Sequence, residues 1–112
     1  MNRRTFISKT ETTTRSIADS VRVATTYNRI KGWKTNSDGS RTIYINENYS
    51  LMFRDGEFRI RERRTKANYR VSGVYTMRDN DSGKDSLRIK TIRRNDGEDT
   101  EYTFEFVIRE GV

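Results

Sequence analysis

Asp55-Gly56 stands between two runs in which apolar and polar residues alternate, Tyr49–Arg54 and Glu57–Glu62. No other feature restricts the fold as strongly. A two-residue type I′ turn needs positive φ at both central positions, which Asp-Gly tolerates, so the pair predicts a tight β-hairpin. Closing the turn there fixes the register. Phe53 then faces Phe58 and Leu51 faces Ile60 on one side of the ribbon. On the other side Arg54 meets Glu57, Met52 meets Arg59 and Ser50 meets Arg61. Apolar residues pair with apolar ones and a charge pair closes the turn, so turn chemistry and side-chain period agree. Arg59, Arg61 and Arg63 form a row of guanidinium groups on the outward side.

The same alternation recurs along the chain. Arg41–Ile45 places Ile43 and Ile45 inward, and Asn46-Glu47-Asn48 reverses the chain into Tyr49. Tyr69–Arg78 reads as Tyr69, Val71, Gly73, Tyr75 and Met77 against Arg70, Ser72, Val74, Thr76 and Arg78. Ser86–Arg93 and Thr100–Arg109, joined at Asn95-Asp96-Gly97-Glu98, pair Ile89 with Phe104, Leu87 with Phe106 and Arg88 with Glu105. A further short strand is expected at Trp33–Thr35, returning through Ser37-Asp38-Gly39 with Gly39 left-handed. No proline interrupts any strand.

Ser16–Lys31 is the one helical segment. Ser16 suits the N-cap, Asp19 the positive end of the helix dipole, and Gly32 the C-terminal stop. Ile17, Val21, Ala24 and Tyr27, widened by Val23 and Ile30, form its apolar stripe. Arg15, Arg22 and Arg29 recur every seven residues on the opposite side and make a secondary basic stripe. Residues 1–14 are read as a flexible arm or as an edge strand through Thr5–Ser8, with Arg3, Arg4 and Lys9 suited to phosphate. Residues 15–112 are read as one α+β domain: an amphipathic helix on a five- to six-stranded antiparallel meander, curved or partly closed into a barrel. Hydrophobic content is only 31%, so one face of the sheet is wet, and the 11% aromatic content gives a small core large rings to bury.

Several function classes are excluded or weakened. The absence of histidine removes the commonest general base and metal ligand, and the absence of cysteine removes thiolate sites and disulfides. Asp79–Asp85 has oxygen ligands at alternating positions like a calcium loop. Its glycine is one place early and no glutamate follows at the required distance, so a plain turn is expected and no metal or other cofactor. No apolar run is long enough to span a membrane, no signal-peptide core follows Met1, and a cytoplasmic location is expected.

Charge points to the partner. The net charge is +7, and from Arg54 to Arg70 seven basic residues stand against three acidic ones. Arg59, Arg61, Arg63, Arg64, Lys66, Arg70, Arg78, Arg88 and Lys90 are the candidate nucleic-acid-binding residues. Arginine's planar fork suits bidentate contact with phosphate. Outward aromatics are few, with Tyr44 the main one, which favours backbone-directed binding over a base-stacking platform. Between Asn95 and Val112 six acids face only Arg109, so the chain is polarised. The expected role is binding to nucleic acid or a nucleoprotein, without catalysis. The competing class is a protein-interaction or self-association module, a homodimer or a host-protein partner. A histidine-free ribonuclease like the RelE-type toxins would use Glu62 beside Arg61, Arg63 and Arg64, but no motif of theirs matches residue by residue. In composition the chain resembles small accessory proteins of phages and mobile elements. That resemblance implies action on host machinery, including inhibition of nucleic-acid-guided defence complexes, in the host cytoplasm.

Overall fold

The computed structural model describes residues 4–31, 33 and 36–109. Eight elements follow in chain order: β1 (Arg4–Thr14), α1 (Ile17–Ile30), β2 (Arg41–Tyr44), β3 (Tyr49–Arg54), β4 (Glu57–Glu62), β5 (Asn68–Arg78), β6 (Asp85–Asn95) and β7 (Glu98–Arg109). The strands form one mixed sheet of order β1-β7-β6-β5-β4-β3-β2. β2 to β7 are an antiparallel meander, and β1 lies parallel to β7 along its whole length. The chain thus starts at one edge of the sheet and α1 carries it towards the other. Fourteen helical residues reach about 21 Å, or roughly four strand spacings.

Both expected turns form. Asp55 and Gly56 have φ of 54° and 80°, and Asp96 and Gly97 have φ of 50° and 80°, the positive pairs a type I′ turn requires. The hairpin register is the predicted one, Phe53 with Phe58, Leu51 with Ile60 and Arg54 with Glu57. Ile89 pairs with Phe104, Leu87 with Phe106 and Arg88 with Glu105.

Three expectations are corrected. The sheet has seven strands and is mixed, because residues 4–14 extend alongside β7 as a full edge strand, and it does not close. The ladder of β5 with β6 shifts register between Val71 and Gly73, inserting one extra residue. A bulge of this kind reverses which side chains face the core. Val74 and Thr76 therefore join Val71 on the helix side, and Arg78 goes with them, whereas Tyr75 and Met77 turn outward. Helix α1 buries Ser20, Val23, Ala24 and Tyr27, while Ile17 and Val21 are 40% and 47% exposed. Those four residues have i, i+3, i+4, i+7 spacing, and Ser20 is admitted because its hydroxyl donates to the Ser16 carbonyl at 3.3 Å.

Ser16 caps α1 as expected, its hydroxyl accepting from the Asp19 amide at 3.1 Å. Gly32, Lys34 and Thr35 lie outside the described residues. Trp33 and Asn36 belong to no strand, and Ser37 and Asp38 form the turn.

The core lies on the helix side of the sheet, where the two halves curl towards each other. The Tyr49 ring on β3 meets Phe104 and Phe106 on β7 at centroid distances of 5.5 and 5.4 Å, across three intervening strands. Tyr27 of α1 packs edge-on against Phe58 at 4.8 Å. Among the described residues no helix is long and apolar enough to cross a membrane.

Candidate nucleic-acid interface

Strand alternation distributes the charged residues between two unlike environments. On the inner side Glu62 is buried at the end of β4. Its Oε2 accepts from Lys9 Nζ at 3.3 Å, Asn48 Nδ2 at 3.1 Å and the Tyr49 hydroxyl at 3.0 Å, and its Oε1 accepts from the Thr65 hydroxyl at 2.7 Å. Burial disfavours the carboxylate, but the hydrogen bonds from Thr65, Tyr49, Lys9 and Asn48 outweigh it and hold the pKa down at about 2. Burial also pushes the Tyr49 phenol up to about 12. The Lys9 ammonium is raised above its ordinary value, first by the Tyr49 hydroxyl and then by Glu62.

Lys9 is therefore turned from the edge strand towards Glu62. Thr13 and Arg15 continue the join, both donating to the Ile45 carbonyl, at 3.3 and 3.1 Å. These bonds tie β1 to the turn between β2 and β3 across the open seam. Glu62 has no proton to give near neutral pH and is weakly basic, so its surroundings do not suit it to proton transfer.

On the outer face the cations are largely without partners. Arg59 lies directly opposite Arg70 across β4 and β5, and Arg70 is opposite Ile92. Like charges facing each other in a ladder destabilise it. Arg59 is balanced by Glu57 at 2.8 Å. Arg61, Arg70 and Lys90 are exposed and make no ion pair with any described residue. Arg63, Arg64 and Lys66 project from the turn after β4, whose backbone is held by Asn48: its carbonyl accepts from the Arg63 amide at 2.6 Å and its side-chain oxygen from the Arg64 amide at 3.0 Å. Lys66 takes φ of 60°, which tightens that turn.

Two grooves open on this side. One of about 430 Å³ is lined by Arg59, Asn68, Arg70, Arg93, Arg94 and Asp99, together with Ile92. The other, of about 860 Å³, runs beside β2 and includes Tyr44, Ser50, Arg61, Arg63 and Lys66.

The predicted set is thus divided. Arg59, Arg61, Arg63, Arg64, Lys66, Arg70 and Lys90 share the outer face or its rim. Arg88 is half-buried and engaged by Glu105 at 2.6 Å, which removes it from the free cations. Arg78 is moved to the helix side by the bulge, where it lies opposite Asp85. The secondary stripe does not form. Arg15 precedes the cap and reaches inward to Ile45, leaving Arg22 beside Asp19 at 3.9 Å and Arg29 exposed. Arg93 and Arg94, which line the smaller groove, were not among the predicted residues. Arg94 comes there because β6 continues past Arg93 to Asn95, whereas Arg93 faces the other side of the sheet, its guanidinium 5.3 Å from the centroid of the Tyr69 ring.

Asp79–Asp85 forms a turn closed on itself, with the Asp79 side chain accepting from the Ser82 hydroxyl and the Asp81 amide at 2.8 and 3.0 Å. No group of three metal-ligating side chains occurs among the described residues. Comparison with protein-family models, curated proteins and solved structures finds no match to this chain.

Proposed function

We propose that the protein binds nucleic acid, free or within a nucleoprotein, by its phosphate backbone along the outer face of β4, β5 and β6. The observation that carries this reading is the facing pair Arg59 and Arg70, set beside unpaired Arg61 and Lys90. Such a cluster works against the ladder that holds it, and a polyanion relieves the repulsion while the sheet keeps the spacing of the guanidinium groups. The acids of this side are already engaged in part: Glu57 by Arg59 and Glu105 by Arg88, while Asp99 faces Arg94.

The role is one of binding without catalysis, since the carboxylate best placed by sequence for proton transfer is committed to the seam. A place among phage or mobile-element proteins that act on nucleic-acid-guided defence complexes rests on composition alone.

Fluorescence anisotropy with labelled single-stranded RNA, single-stranded DNA and duplex DNA tests the reading. Four phosphate contacts predict an affinity loss between 50 and 200 mM salt of about 50-fold for the single strands and about 150-fold for duplex DNA. Arg59→Glu/Arg70→Glu should weaken binding by at least about tenfold for the same reason. Absence of binding to every probe at 50 mM salt, or full affinity in the double variant, overturns it.

A further inference from the structure

We propose that the groove beside β2 holds an unpaired base against Tyr44, which makes single-stranded nucleic acid the ligand of the arginine face. This rests on the backbone-binding reading above and deepens it. Tyr44 is 72% exposed, and its ring makes no aromatic or cation contact with any described residue. Exposure alone does not argue for a ligand, because Ile43 is drawn towards the core and strand alternation then forces Tyr44 outward. The surroundings of the ring do. Across β2, β3 and β4 the outer row runs Tyr44, Ser50, Arg61. Ser50 is short, so the floor between the ring and the guanidinium is low.

Tyr44, Ser50 and Arg61 line one part of the groove of about 860 Å³, together with Arg63 and Lys66; the same groove extends over the β2–β3 turn, with Glu47 and Met52 also in its lining. Tyr44 and Arg61 stand two strand spacings apart, about 10 Å. One wall offers a π-face, which any base can stack on, and the opposite wall offers fixed positive charge, which suits the phosphate. A peptide carrying carboxylates would satisfy the cations but has no need of the ring. A duplex satisfies the cations too, but its bases are stacked inside and cannot reach Tyr44. The combination therefore selects a strand with its bases free.

The test uses a single-stranded DNA carrying 2-aminopurine, whose emission falls on stacking, beside the same strand in duplex form. The native protein should quench the single-strand probe and bind it at least about tenfold more tightly than the duplex. Tyr44→Ala should abolish the quench and weaken single-strand binding about tenfold, with duplex binding unchanged, and Tyr44→Phe should restore both. If Tyr44→Ala binds and quenches as the native chain does while Arg59→Glu/Arg70→Glu loses affinity, the base slot is wrong and backbone binding stands. Equal affinity for single strand and duplex also overturns the slot. If the native chain binds neither probe, backbone binding itself fails and the slot with it.

Discussion

Arg61 and Glu62 are adjacent on β4, yet their surroundings are opposite in kind. Glu62 faces inward, is buried and receives four hydrogen bonds. Arg61 faces outward and has no ion-pair partner among the described residues. A buried charge must be satisfied because an unpaired one costs several kcal/mol, so the inner cluster is complete and holds the seam between β1 and the β2–β4 half of the sheet. Water screens exposed charges, so a fold tolerates them unpaired, and only there can a cationic group wait for a ligand. Charge on this protein therefore serves cohesion inside and, on the function proposed above, recognition outside.

Removing members of the two regions should separate these roles. The largest effect is expected from Tyr49→Ala, which deletes a fully buried ring touching Phe104 and Phe106 together with a hydroxyl bonded to Glu62. A loss of about 4 kcal/mol in urea denaturation is expected.

Glu62→Gln comes next, at about 2 kcal/mol, because it removes the charge that Lys9 answers while keeping the shape. Its pH dependence is distinctive. The native pKa of about 2 lies below the ordinary 4.5, so the carboxylate stabilises the fold above 4.5. That contribution is lost as the pH falls from 4.5 towards 2. The gap between native and Glu62→Gln denaturation curves should be narrower at pH 3 than at pH 7 and should close near pH 2, and a constant gap would show that the carboxylate charge is not what holds the seam.

The smallest effect belongs to the outer face. Arg70→Thr should raise stability by about 0.5 kcal/mol at low salt by relieving Arg59, and the gain should vanish near 0.5 M salt. A destabilised Arg70→Thr would mean that the facing arginines are not in conflict.

The hairpin at Asp55-Gly56 and the β6–β7 register were readable from sequence because turn chemistry and period-2 alternation act between residues close along the chain. So was the Ser16 cap. The bulge in β5 was not, since Val71-Ser72-Gly73-Val74 alternates acceptably without one. A single inserted residue then misassigned Tyr75 and Arg78. Glycine at position 73 was the available signal: a Cβ there would lie 2.5 Å from the Tyr75 hydroxyl, whose ring covers it. For Arg15 and Lys9 the sequence carried no comparable mark.

By itself, then, the sequence determined an α+β chain with two tight hairpins, one helix and an arginine-rich outer side. Tertiary structure decided that residues 4–14 run parallel to β7 and that the sheet curls until Lys9 meets Glu62. It also decided which arginines stay free. The physical reason is range. Turns, caps and alternation are set by neighbours a few residues apart, whereas the seam joins residues 53 apart, and such contacts exist only once the whole sheet has assembled.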